Sequence, residues 1–268
     1  MSATVTTSEE LGHSDFDRIK HLVAPLREIC SATFEGNIVP RISHMETFEP
    51  STDAASASIP IFILYASVTA GPSIDALTEA TSALPLGTPT EIVQAYSKLK
   101  LCDISVFAFL PRLQEVLASL GAKAEWIAAR PKPKFILHWS WNPDPYELSN
   151  HSVFLITTQE GEEYIADFTM EQFGYYDNWI MTKDPYLLNR TGNGEYRVTC
   201  QDDHNAIAAL CQFIDCIRRT AERLCDAYDQ FDWSVLDGIR EDRLAARIRL
   251  GVVEVFSRID VVMTTPTA

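Results

Sequence analysis

The segment over residues 151–168 predicts a β-hairpin, and no other stretch constrains the fold of this chain as strongly. Its first arm, residues 151–158 (HSVFLITT), is rich in β-branched and aromatic residues, which favour a strand over a helix. Residues 159–162 supply a turn in which Gly161 can adopt a positive φ angle. The second arm, residues 163–168 (EYIADF), mixes apolar and polar residues as a strand does. The two arms should therefore pair antiparallel in one sheet.

The predicted hairpin brings a histidine and an aspartate together at one end. With a turn centred near residue 160, His151 precedes the centre by nine residues and Asp167 follows it by seven, so their side chains should lie close. An aspartate within reach of a histidine ring fixes its tautomer and stabilises the imidazolium. The pair predicts a catalytic base with its orienting acid. His138, on another predicted strand, is the alternative base, but it lacks a strand aspartate at a matching distance.

Cys102 is the predicted nucleophile. Apolar residues recur at helical spacing over 106–120, and Gly121 ends the pattern, so Cys102 lies at the start of a predicted helix. Unpaired amides and the helix dipole favour a thiolate there. Ser105 is the alternative nucleophile, and Pro111 should kink the helix. We favour Cys102 because a thiol needs a weaker base than a hydroxyl does.

These residues resemble the Cys-His-Asp core of the transglutaminase-like, or papain-like, superfamily. Cys102, His151 and Asp167 follow the family's order, with separations of 49 and 16 residues, and the segment 120–124 (LGAKA) leads into a strand between them. The resemblance covers about residues 98–178. It implies an α+β fold in which the nucleophile-bearing helix packs on an antiparallel sheet, with helical N- and C-terminal extensions. It also implies acyl transfer from an amide or ester through a thioester, without a cofactor.

Residues around this core form the predicted substrate site. The segment 168–173 after Asp167 resembles the family pattern Asp-x-Thr-x-x-Gln-Phe, and the nearby aromatic side chains suit an apolar pocket. The backbone N–H of Cys102 is the predicted first oxyanion donor. Candidates for a second donor are Gln94, Tyr96 and Lys100. The predicted substrate-binding residues are Trp139, Trp141, Gln172, Tyr175 and Trp179.

The chain is predicted to form one catalytic domain, residues 15–268, after a disordered tail over residues 1–14. Within that domain we expect a helical part over 15–100, the Cys-His-Asp core over 101–180 and a helical hairpin over 202–262. The helical hairpin is expected either to cover the sheet or to make a homodimer contact.

Individual elements follow from periodicity. In the N-terminal part we expect a helix over 15–34 ended by Gly36, a long loop over 36–58, and a strand or short buried helix over 59–65. Two short helices near 73–84 and 89–100 should follow.

The core and the C-terminal part add further elements. Strands over 124–129 and 135–141 should flank a stiff basic loop over 130–134. One long amphipathic helix over 202–229 and a second over 234–262 should complete the chain.

Composition restricts the class of partner and the compartment. A net charge of −15 disfavours binding to nucleic acid or to an anionic membrane, both of which require clustered basic residues. The chain has neither an apolar run long enough to span a membrane nor an N-terminal signal segment, so we expect a cytoplasmic protein. Its six cysteines are not spaced as a disulfide framework, and the absence of a CxxC pair argues against a zinc site.

Two functions with a transglutaminase-like core remain open from the sequence, beside a helix-rich scaffold whose resemblance to that core is accidental. The first is a cysteine-dependent enzyme that acts on a small-molecule or peptide substrate as a hydrolase or an acyltransferase. The second is a catalytically inactive transglutaminase-like module that binds partner proteins.

Overall fold

The structure is a computed structural model. The residues that it describes are 14–36, 41–48, 59–66, 84–142, 144, 148–236, 239 and 241–264. They form an α+β fold, as predicted, in which helices pack on a five-stranded and a three-stranded sheet.

The N-terminal part begins with helix α1, Asp15–Glu35, which confirms the predicted helix. The hydroxyl of Ser14 accepts the backbone N–H of Asp17 and so caps the first turn, and Gly36 follows the last turn. The helix buries one face, which includes Ile19, Val23, Leu26 and Ile29.

The loop predicted over 36–58 is wrong in part, because β1, Ile42–Phe48, is a strand. Ile42 is the one fully buried side chain in β1, so the strand carries little apolar pattern and depends on pairing with β2, Ile61–Ala66. The strand alternative predicted over 59–65 is thereby confirmed.

Helix α2, Thr90–Ser97, confirms the second of the two short helices predicted before Cys102. The first, near 73–84, lies almost wholly outside the described residues.

Helix α3, Cys102–Ala118, begins at Cys102 as predicted and continues through Pro111. Gly121 follows with a φ angle of 63°, and there the chain turns into the first strand of the larger sheet. The strands of this sheet are β3, Lys123–Pro131; β5, His151–Thr157; β6, Glu163–Ala166; β7, Ile180–Thr182; and β8, Thr191–Val198. Their order in the sheet is β7-β6-β5-β3-β8, with every neighbouring pair antiparallel.

The predicted hairpin is present with its predicted centre. Strands β5 and β6 pair Phe154 with Ala166 and Thr157 with Glu163, so the turn is centred at residue 160. Gly161 has a φ angle of 85°, the positive value that the turn was expected to need.

The smaller sheet has the order β1-β2-β4, in which β4, Ile136–Trp139, pairs parallel with β2. Strand β4 confirms the centre of the strand predicted over 135–141. The basic loop predicted over 130–134 is wrong for its first two residues, because β3 extends to Pro131 through its pairing with β8.

The C-terminal region contains a break that was not expected. Instead of one helix over 202–229, the structure has α5, Gln201–Phe213, and α6, Asp215–Asp229, separated by Ile214 in an extended conformation. Asp215 starts the new helix and pairs with arginines in its first turns, an N-terminal signal hidden by the apolar periodicity. The last helix is α7, Glu241–Thr264, and begins later than predicted.

Both faces of the larger sheet are buried. On one face Phe154 and Ile156 of β5 pack with α3 through residues such as Phe109. On the other face Val153 and Leu155 pack with helix α4, Lys183–Arg190. A strand covered on both faces explains why 151–157 is a nearly continuous apolar run and not an alternating one.

All six cysteines are free in the structure. In the described part of the chain, no helix combines the length and the apolar character that a membrane crossing requires.

The start of α3 is fixed to the start of β5 by a hydrogen bond from the Ser152 hydroxyl to the Asp103 carboxylate. Asp103 follows Cys102 and Ser152 follows His151, so this bond sets the distance between the two elements that carry the candidate nucleophile and base.

We expect Ser152→Ala to lower the free energy of unfolding by about 1–3 kcal/mol, because it leaves a carboxylate oxygen without its donor. Urea denaturation measures the change. Ser119→Ala, which removes an exposed hydroxyl bonded within one helical turn, is the matched control and should change it by less than about 0.5 kcal/mol. Equal unfolding midpoints for the two variants would contradict this role for Ser152.

Candidate active site

Three elements bring the predicted triad residues together. His151 is the first residue of β5, Asp167 directly follows β6, and Cys102 is the first residue of α3. Continuing the β5–β6 register places Asp167 across from Val153, and His151 lies two residues before Val153 on the same face. The hairpin therefore positions the acid and the base on the face that α4 covers, and Cys102, the first residue of α3, approaches His151 at the end of the strand.

A buried hydrogen bond joins the base to the acid. His151 Nε2 lies 2.8 Å from Asp167 Oδ2, with 3% and 1% of the two residues exposed. An ionised carboxylate only accepts hydrogen bonds, so Nε2 carries the proton in this contact. Nδ1 is thus the ring nitrogen left for other partners, and the Cys102 side chain lies near enough to contribute to the raised pKa of the imidazole.

The electrostatics of the pair favour the charged forms of both groups. Burial lowers the pKa of His151, but the charge of Asp167, its hydrogen bond and the interaction with Cys102 outweigh burial and raise the pKa to about 10. Burial likewise raises the pKa of Asp167, but the charge and hydrogen bond of His151 bring it below its usual value. Each group therefore stabilises the charged form of the other.

Further donors hold the Asp167 carboxylate. The Tyr186 hydroxyl donates to Oδ2 at 2.8 Å, and the Thr169 backbone N–H donates to Oδ1 at 3.1 Å. The main chain of Asp167 is held as well, because its own backbone N–H donates to the Trp179 carbonyl at 2.8 Å. Sequence reasoning missed Tyr186, because it comes from α4, 19 residues after Asp167, and no local pattern links the two.

Gln172 lies near Nδ1 of His151, the ring nitrogen that does not contact Asp167. It belongs to a single-turn helix, Met170–Phe173, and its Nε2 is 3.4 Å from His151 Nδ1. The Phe173 ring packs edge-on against the imidazole, with centroids 4.8 Å apart. The short segment after Asp167 therefore lines the base on two sides.

The alternative nucleophile and base have other contacts. Ser105 Oγ lies 3.3 Å from the sulfur of Cys30 on α1, and 1% of the residue is exposed. His138 belongs to β4 in the smaller sheet, and its Nε2 lies 3.3 Å from the Asn142 carbonyl oxygen. The geometry favours Cys102 and His151 over these alternatives, because Cys102 is the thiol that interacts with the His151–Asp167 pair.

The predicted substrate-binding residues occupy different surroundings. Gln172 contacts the base, whereas Trp139 and Trp141 stack on each other in the smaller sheet and its following turn, with centroids 4.5 Å apart. The Tyr175 hydroxyl donates to the Lys132 carbonyl at 2.5 Å. Trp179 packs against Phe168 at the edge of the core. A substrate-binding role for these residues stays a prediction.

The candidate oxyanion donors are also separated. Cys102 is the first helical residue of α3, so its N–H lies in the turn whose amides have no intrahelical acceptor. The Lys100 N–H donates to Gln172 Oε1, and Tyr96 packs edge-on against Trp139.

A polar cavity of about 270 Å³, which no sequence pattern predicted, lies next to the site. Glu171, the neighbour of Gln172, accepts from both Arg27 and Lys98 at 2.6 Å through one carboxylate oxygen. Arg27 and Glu171 are 144 residues apart, so no local pattern could link them. The cavity is lined by Arg27, Ser31, Glu35, Gln94, Lys98, Glu171, Tyr176 and Arg249.

Comparisons of the chain with protein-family models, with curated proteins and with solved structures found no match. Among the residues that the structure describes, no group of three or more histidine, cysteine, aspartate or glutamate side chains is placed to share a metal ion. Conclusions about this site therefore depend on its own geometry.

We predict that His151 stabilises the folded protein less as the pH rises. Its pKa is about 10 in the folded state, against about 6.5 for an unperturbed histidine, so its contribution is fully present below about pH 6.5 and is lost as the pH approaches 10. The difference in unfolding free energy between wild type and His151→Gln should shrink over this range. Denaturant titrations at several pH values measure it.

His21→Gln, which changes an exposed histidine on α1, is the control and should show no such slope. A wild-type advantage over His151→Gln that is constant or grows with pH would contradict the ion pair.

Proposed function

We propose that this protein is a cysteine-dependent acyl-transfer enzyme with a transglutaminase-like core. Cys102 is the nucleophile, His151 the general base and acid, and Asp167 the residue that orients His151. The observation that supports the proposal is the buried His151–Asp167 pair with the Cys102 thiol on the same imidazole.

The first half-reaction forms a thioester. In the neutral form of His151, Nδ1 takes the proton of the Cys102 thiol, and the sulfur attacks the carbonyl carbon of an amide or ester, forming a C–S bond while the carbonyl π electrons move to the oxygen. The tetrahedral oxyanion accepts the backbone N–H of Cys102 at the start of α3. When the intermediate collapses, the bond to the leaving amine or alcohol breaks and the imidazolium protonates that group.

The second half-reaction releases the acyl group. Water or an amine gives its proton to the neutral His151 and attacks the thioester carbonyl. The C–S bond breaks, and Cys102 recovers its proton from the imidazolium. Water makes the protein an amidase or protease, whereas an amine makes it a transamidase or a biosynthetic acyl or peptidyl transferase. The substrate in either case is a small molecule or peptide with an amide or ester.

One observation favours the alternative, a catalytically inactive interaction module. Only 6% of Cys102 and 3% of His151 are exposed, so a substrate carbonyl has little access to the sulfur in this conformation. An inactive module would keep the pair as a structural ion pair within the core.

The predicted homodimer would use the C-terminal helices α5 to α7. These helices carry exposed apolar side chains, including Phe213, Leu250 and Val253, of which 84%, 58% and 61% are accessible. The dimer stays a prediction.

Alkylation by iodoacetamide separates the enzyme from the inactive module. At about pH 6, where an ordinary thiol is protonated, the enzyme should alkylate at Cys102 faster than at the exposed Cys200, because the imidazole of His151 assists the thiol. Peptide mass spectrometry resolves the two sites. His151→Ala should slow alkylation of Cys102 by roughly 100-fold.

His21→Ala is the control for a histidine change outside the site and should leave the rate unchanged. If Cys102 does not react in the folded protein but reacts after denaturation, the inactive module is the better account.

A further inference from the structure

We infer that Gln172 is a positioning residue that connects the turn before the nucleophile to the base and disfavours a proton on His151 Nδ1. The inference rests on the proposed pairing of Cys102 with His151. It adds a role that differs from the substrate contact predicted from the sequence.

The hydrogen bonds of Gln172 fix which way its amide points. Its Oε1 accepts the backbone N–H of Lys100 at 3.2 Å, an interaction that only the oxygen can make. Its Nε2 donates to the Thr169 hydroxyl at 3.1 Å. The group that faces His151 Nδ1 at 3.4 Å is therefore an N–H donor, and 4% of the residue is exposed.

A donor that faces Nδ1 acts on the protonation of the ring. It stabilises the neutral tautomer in which Nε2–H donates to Asp167 and the Nδ1 lone pair is free to accept. In the imidazolium an Nδ1–H would point towards the amide N–H, which is unfavourable. Gln172 therefore favours the state of His151 that can take a proton from Cys102.

The remaining groups around His151 act in the opposite sense. Asp167 at the end of β6 and Cys102 on α3 both favour the imidazolium, and Tyr186 on α4 acts through Asp167. The Phe173 ring carries no charge. Among these described neighbours of His151, Gln172 is the group that opposes the imidazolium.

Gln172 also holds the chain that leads to the nucleophile. Lys100 has a φ angle of 60°, a left-handed conformation that is unfavourable for a residue with a side chain. Its N–H is bound by Gln172 two residues before Cys102. Thr169, the other partner of Gln172, binds Asp167 through its backbone. One amide thus touches the base and the segments that carry the thiol and the acid.

Two substitutions of Gln172 separate the effect on protonation from the effect on the turn. Gln172→Met removes both the donor to Nδ1 and the acceptor for Lys100. Gln172→Glu keeps an acceptor for Lys100 but turns an oxygen towards Nδ1. Both are made in Cys102→Ala protein, so that the thiol does not titrate with the ring. NMR of isotope-labelled histidine gives the pH midpoint of His151, and hydrogen exchange gives the protection of the Lys100 amide.

Relative to Cys102→Ala alone, the midpoint of His151 should rise by about one pH unit in Gln172→Met and by more in Gln172→Glu. The Lys100 amide should lose protection in Gln172→Met and keep it in Gln172→Glu. An unchanged or lower midpoint in Gln172→Glu overturns the inference, even if Gln172→Met does not fold. These readouts need no substrate, so this inference can fail while the acyl-transfer proposal stands, and the reverse also holds.

Discussion

The ion pair between His151 and Asp167 is the interaction on which the rest of the site depends. Two charges buried this deeply are stable only when each has a partner and the remaining hydrogen-bonding atoms are satisfied. Tyr186 and the Thr169 amide supply those bonds to the carboxylate, whereas the amide N–H of Gln172 faces Nδ1 and favours the neutral ring. The hairpin, α4 and the turn after Asp167 therefore all contribute contacts that hold the imidazole of His151 in place.

The same constraint explains the layout of the larger sheet. Strand β5 is covered by α3 on one face and by α4 on the other, and its first residue, His151, is only 3% exposed. The hydrogen bond between Asp103 and Ser152 then holds α3 against that strand. These two residues directly follow Cys102 and His151 in the sequence. Packing and site geometry are thus determined by the same contacts.

Local sequence patterns predicted the parts of the fold that local forces determine. The hairpin centre, the start of α3 at Cys102 and the limits of α1 follow from turn residues, capping and periodicity. Strand β1 was not predicted, because it depends on pairing with β2. The break at Ile214 was not predicted, because the apolar pattern continues across it and conceals the start of α6. Tyr186 and the Arg27–Glu171 contact join distant segments, which a single sequence does not reveal.

The central claim is that Cys102 forms a covalent acyl intermediate with the help of His151. The most direct measurement is intact-protein mass spectrometry after brief exposure to an activated acyl ester, followed by peptide mapping. The account predicts one added acyl group per chain, on Cys102, absent in Cys102→Ala and formed roughly 100-fold more slowly in His151→Gln. Acylation that is absent, or that spreads over the exposed cysteines and ignores His151, would contradict it.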